Sequence, residues 1–126
     1  MSDGIALATK FFTATAAADL EALEALCTED FQGQQNGGPA MDRKALLRFT
    51  AVVHRAVVNF RYENIVSSNT GTGFVEEHDV VCDLADGPFR LPVCVVAETR
   101  GEQITAMREY LDGAGAARLL AALASA

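Results

Sequence analysis

Hydrophobic positions recur with two different periods along this chain, and the change of period divides it in half. From Gly4 to Ala17, Ile5, Ala8, Phe12 and Ala16 fall at helical spacing behind Ser2 as a cap, which predicts an amphipathic helix. Asp19 reads as the N-cap of a second, short helix, because Leu20, Leu23 and Leu26 follow on one face. Glu21 sits in its first turn, where the helix dipole favours an anion, and the helix ends near Cys27. Between Phe31 and Met41, Gly33, Gly37, Gly38 and Pro39 break regular structure and predict a loop rich in the amides Gln32, Gln34, Gln35 and Asn36. Asp42 caps a third helix, with Leu46, Phe49, Val53 and Val57 on one stripe and Lys44, Arg48 and Arg55 on another.

After Val57 the period drops from about 3.6 residues to about 2. Val58, Phe60, Tyr62, Asn64 and Val66 alternate with Asn59, Arg61 and Glu63, the pattern of a strand. Turn residues then delimit three more strands, near Thr72 to Leu84, Phe89 to Thr99 and Glu102 to Leu111. Gly113 and Gly115 precede a last helix over Ala116 to Ala124, stable only if docked through Leu119, Leu120 and Leu123. Helices followed by a meander of antiparallel strands predict the α+β class. Strongly curved strands of this length would wrap the N-terminal helices into a cone with one open mouth.

Length and charge narrow the class of partner. A chain of 126 residues is the size of one domain, 1–126. With 17 acidic against 10 basic side chains, its formal charge is −7 and no run of Lys or Arg offsets it. Such a surface repels phosphate backbones and anionic headgroups, so no nucleic acid and no membrane is expected as partner, and a small apolar or neutral ligand fits better. Met1, Ser2 and Asp3 lack the basic start of a secretory leader, which leads us to expect a cytoplasmic protein. Cys27, Cys82 and Cys94 are odd in number and widely spaced, so they read as small buried hydrophobes.

Candidate chemistry concentrates on two strands. From Val75 to Asp83, alternation puts Glu77, Asp79 and Asp83 on one face and Glu76, His78, Val80 and Cys82 on the other. Phe74 and Leu84 make the second face the more apolar, so alternation alone assigns Glu77 and Asp79 to solvent. On the last strand Glu109 lies between Met107 and Leu111, and a carboxylate on an apolar face is costly unless it is paired, protonated or used. His54 and His78 have no metal-ligand spacing, and GxSxG, GxGxxG and GxxxxGK[ST] do not occur, so neither metal nor cofactor is expected.

The string Phe74-Val75-Glu76-Glu77-His78-Asp79, then Leu91-Pro92-Val93-Cys94-Val95-Val96-Ala97-Glu98, then Ile104-Thr105-Ala106-Met107-Arg108-Glu109-Tyr110-Leu111-Asp112, carries a resemblance. It resembles the limonene-1,2-epoxide hydrolase branch of the superfamily named for nuclear transport factor two, which also holds the SnoaL-like polyketide cyclases and the ketosteroid isomerases. The resemblance implies a cone-shaped, cystatin-like α+β fold, a ligand inside the cone and a homodimer formed through the convex face, expected here at Glu76, His78 and Val80. Hydrolases of that family use two aspartates bridged by an arginine, with a tyrosine and an asparagine holding the attacking water.

Carried over by position, the resemblance implies Asp79 as general acid, Glu109 as general base and Asn36 as the water-holding amide. It also turns Glu77 and Asp79 into the cavity, against the alternation. Two positions depart from the family: Glu77 stands where the arginine belongs and Gln34 where the tyrosine belongs. Without the guanidinium, Glu77, Asp79 and Glu109 would crowd in a dry pocket, leaving at least one protonated near neutral pH. Gln34, Leu91, Val93, Met107 and Leu111 are expected to line the substrate pocket. The function implied is acid/base catalysis on an apolar substrate, as in an epoxide hydrolase, a polyketide cyclase or an isomerase, with a non-catalytic binding or dimerisation domain as the alternative.

Overall fold

Four aspartates set the starts of four helices. In the computed structural model, which describes residues 3–126, the chain runs α1 (Gly4–Ala16), α2 (Leu20–Leu26), β1 (Cys27–Gln35), β2 (Met41–Asp42), α3 (Arg43–Ala56), β3 (Val58–Asn69), β4 (Gly73–Leu84), β5 (Gly87–Arg100), β6 (Gln103–Leu111) and α4 (Gly113–Ala124). Asp3, Asp19, Asp42 and Asp112 accept from backbone N–H groups of Ala6, Ala22, Ala45 and Ala114, respectively. Each such cap contributes about 1 kcal/mol by satisfying a donor that the helix cannot. Ser2, expected as the first cap, lies outside the described residues, and Asp3 fills that position.

Strands β3 to β6 form the expected antiparallel meander, and the full sheet runs in the order β2-β1-β6-β5-β4-β3. The segment expected to be a loop contributes β1, which pairs parallel to β6 from Gln32↔Ala106 to Gln35↔Glu109. The sheet is therefore mixed rather than purely antiparallel. Gln and Gly have little preference for extended structure, so β1 owes its form to the ladder that β6 offers, a tertiary effect that propensity does not carry.

The helices cover one face of the sheet. Leu7, Phe11, Phe12, Leu23, Phe31, Val53, Phe74, Val95 and Ile104 are buried there in one core. Along β3 the simple alternation fails, because Asn59 and Asn64 adopt left-handed backbone (φ 58° and 55°) at two bulges that shift the register against β4. Phe60 and Tyr62 consequently face the helices, while Val58 and Val66 stay 63% and 59% exposed. Cys27 and Cys82 are buried, and burial pushes the Cys27 thiol up to about 12. Cys94 instead lies half-buried on the outer face, a departure from the expectation for all three thiols. No helix among the described residues is long and apolar enough to cross a membrane.

Candidate functional site

Five of the six strands and three helices enclose a cavity of about 120 Å³. Phe12, Val53, Phe60, Leu91, Val93, Met107 and Leu111 make its walls largely apolar, and Leu119, Leu120 and Leu123 of α4 close one side. Of the expected pocket residues, Leu91, Val93, Met107 and Leu111 line it and Gln34 does not. A vestibule of about 280 Å³ adjoins it, lined by Gln34, Pro39 and Met41 and sharing Gln35, Phe49 and Glu109 with the cavity.

The polar chemistry of the wall centres on β4. Its even-numbered residues face the helices, so Glu76 and His78 enter the core from the more apolar face of the strand. His78 Nδ1 lies 2.6 Å from Glu76 Oε2, with 1% and 2% of the two side chains exposed. The Ser67 hydroxyl donates to the other Glu76 oxygen at 2.7 Å. A buried carboxylate is tolerated only when paired and hydrogen-bonded, and here both oxygens are engaged. A carboxylate can only accept, so Nδ1 is the donor of this bond. The ring packs 4.8 Å from Phe12 and 4.4 Å from Tyr62, centroid to centroid.

Tyr62, His54 and Glu109 complete the polar lining. Burial, together with the anions of Glu109 and Glu76, pushes the Tyr62 phenol far above its ordinary range, so it stays protonated. His54 donates from Nε2 to the Thr15 carbonyl at 2.7 Å and packs its ring against Phe60. Glu109 reaches the cavity from the inner face of β6, and Gln35, its register partner on β1, donates to it at 3.1 Å.

The other sequence candidates sit elsewhere. Asp79 lies on the outer face of β4, where it accepts from Asn64 at 2.8 Å and from Arg90 at 2.7 Å. Those two bonds hold its carboxyl below the ordinary carboxylate range. Glu77 is exposed on the same outer face, beside Cys94 of β5. Neither acid lines the cavity, so the inward turn that the resemblance implied is corrected and the simple alternation prevails. The pairing Asp79↔Pro92 and His78↔Val93 fixes that orientation, since neighbouring residues on a strand point to opposite faces. Glu77, Asp79 and Glu109 do not converge, and the expected crowding of like charges does not arise.

Asn36 serves the backbone. In a left-handed turn (φ 51°), its side chain donates to the Leu111 carbonyl and accepts from the Leu111 N–H, both at 3.0 Å, tying the end of β1 to the end of β6. Gln34 borders the vestibule and donates to the Gly38 carbonyl. Glu76, His78 and Val80, expected at a convex dimer face, belong to the inner face instead. Among the described residues, no three His, Cys, Asp or Glu side chains are grouped so as to hold a metal. The buried pair Glu76 and His78 was missed by the sequence reading, yet the argument applied to Glu109, a titratable group on an apolar face, points to both.

A family model for the SnoaL-like domain matches residues 8–107. Among solved structures, PrhC from Penicillium brasilianum is 19% identical, with 96% of this chain and 87% of that one covered at a TM-score of 0.83. An LEH-like epoxide hydrolase from M. tuberculosis is 20% identical over 97% and 90% of the two chains, with a TM-score of 0.76. The BvnE pinacolase from Penicillium brevicompactum is 15% identical over 96% and 94%, with a TM-score of 0.80. At these identities the likeness is one of fold. No curated protein sequence matches the chain.

Proposed function

Because the chain belongs to the SnoaL-like domain family, a small-ligand-binding fold, we propose that its cavity performs acid/base catalysis on a small, mostly apolar, uncharged substrate, with His78 as the group that exchanges the proton. In place of Asp79 and Asn36, His78 and Gln35 supply polar groups to the cavity. His78 takes a proton at Nε2, and the Glu76 carboxylate stabilises the imidazolium that forms, as an orienting acid does for a histidine base. Glu109, on the inner face of β6, is the second acid/base group, and Gln35 orients it. Tyr62 remains a neutral donor beside them.

Substrate class follows from the lining. Apart from the histidines, Glu109 is its one charged side chain among the described residues, so an anionic ligand would meet repulsion with no cation to offset it. A dry cavity of roughly 150 Å³ holds a benzene-sized molecule, so this one takes a single ring or an equivalent apolar group, with the remainder of the substrate in the vestibule. Proton transfer next to a carbonyl, as in a cyclase or isomerase, and opening of an epoxide both suit this arrangement. The observation that carries the reading is the fully buried 2.6 Å pair of Glu76 and His78 in the wall of an otherwise apolar cavity.

The test is product formation from a panel of small epoxides and unsaturated ketones. Turnover by the native protein that is lost in His78→Asn and in Glu109→Gln supports the assignment. A second reading, a ligand-binding domain without chemistry, draws on Asn36, whose side chain ties the backbone of β6 and does not line the cavity. Tight binding of panel members with no product would favour that reading. We further propose a homodimer through the outer face of the sheet, where Val66 and Tyr110 remain 59% and 47% exposed. A cytoplasmic setting suits three free thiols.

A further inference from the structure

The cavity shares a wall with a second depression. A groove of about 440 Å³ between α1 and β3 is lined by Thr13, Ile65 and Glu76, together with Phe12 and Tyr62, which also line the cavity. Glu76 borders only the groove and His78 only the cavity, so their 2.6 Å hydrogen bond crosses the wall between them. Ser67 fixes the second oxygen of Glu76. The charged and titratable groups around the pair are few. On β3, Arg61 is committed to Glu63 and to the Asn59 carbonyl, and Tyr62 stays protonated. From α1, Thr9 and Thr13 offer hydroxyls to the groove, and Glu109 of β6 acts on the pair's neighbour Tyr62 from across the cavity.

We propose that Glu76 and His78 form a proton relay through this wall, which connects the cavity to solvent in the α1–β3 groove when a bound molecule blocks the vestibule. The inference rests on the reading of His78 as the cavity's base. In one direction, Nε2 receives a proton from the substrate, the Nδ1–H proton passes to Glu76 Oε2, and Glu76 releases it to water in the groove. The ring is left neutral with its proton on Nε2. In the other direction, Nε2 returns its proton to the reacting molecule while Glu76, protonated from the groove, restores Nδ1–H. The imidazole thus finishes each cycle as it began, and the cavity regains its starting charge when the proton returns to the reacting molecule. Glu76 and Ser67 are positioning residues in this scheme.

The relay is tested on the full chain labelled with ¹⁵N-histidine, without substrate, by the rate at which His78 Nδ1–H exchanges with water. Ile65→Trp covers the groove from an exposed position, and Leu120→Trp covers the cavity from the α4 side. The expected result is a several-fold slowing of exchange in Ile65→Trp and none in Leu120→Trp, with the Nδ1–H tautomer retained in both. Glu76→Gln, which still accepts from Nδ1 but carries no proton onward, is expected to slow exchange as well. Slowing by Leu120→Trp alone, by both tryptophans equally, or by neither overturns the relay. Since no turnover is involved, that result leaves the assignment of His78 as the base to the product assay, and a failed product assay leaves the relay standing on its exchange rates.

Discussion

Glu76 and His78, two residues apart on β4, point to the same side of the strand and meet at 2.6 Å inside the core. The spacing of two gives them a common face, and the face is the apolar one. Two ionisable groups have therefore been drawn out of water together, and each satisfies the other.

Removing one partner should expose that dependence. Glu76→Ala leaves His78 Nδ1 buried without its partner and removes the acceptor of the half-buried Ser67 hydroxyl, and a loss of about 3–5 kcal/mol is expected, the scale for breaking a buried pair. Glu76→Gln preserves shape and one acceptor, so a smaller loss of about 1.5–3 kcal/mol is expected, as for a charge-assisted hydrogen bond. Urea unfolding of the two variants checks the order.

Acid sensitivity should trace to the outer face. Arg90 bonds Asp79 and Glu63 at 2.7 and 2.6 Å, and both carboxyls are held below their ordinary values of 3.8 and 4.5. For Asp79 the Asn64 amide is the larger cause, and for Glu63 the Arg90 guanidinium. A depressed folded-state pKa means that the unfolded chain binds more protons in this range, so the stabilisation is present above the ordinary values and is lost as pH falls through the folded ones. Arg90→Ala should lower stability near neutrality and flatten that acid loss, so that the two stability curves converge at low pH. Unfolding measured across a pH series shows whether they do.

The start of β4 leaves no room for a side chain at one position. A Cβ on Gly73 would collide with the Ala97 carbonyl oxygen of β5, a backbone atom that cannot swing aside. Gly73→Ala should destabilise by about 1–3 kcal/mol or more through this forced overpacking, read as a lowered denaturation midpoint.

Filling the cavity should separate folding from ligand uptake. Val93 is 5% exposed and lines the cavity. Val93→Phe is expected to keep the fold at a strain of about 1–3 kcal/mol and to abolish binding of small apolar ligands, as calorimetric titration of the panel compounds would report.

Much of the fold was legible because the chain declares it locally. Asp19 and Asp42 cap the helices they were expected to cap, and the meander from β3 to β6 follows the turn residues that delimit it. What stayed hidden depends on contacts distant in sequence. Gln32 to Gln35 became strand only by pairing with β6, and the bulges at Asn59 and Asn64 broke an alternation that reads as regular. For the site, the alternation of β4 carried the right orientation, whereas a motif carried over by position sat one residue out of step and turned Asp79 inward. A register error of one residue exchanges the two faces of a strand, so spacing outweighed likeness there.

The most direct test compares those two neighbours. Measured as kcat/KM on the best substrate of the panel, His78→Asn should lose roughly 100-fold or more, the scale of a general acid/base group, while Asp79→Asn should match the native protein. Loss in Asp79→Asn with full activity in His78→Asn would contradict the assignment of the chemistry to the buried pair.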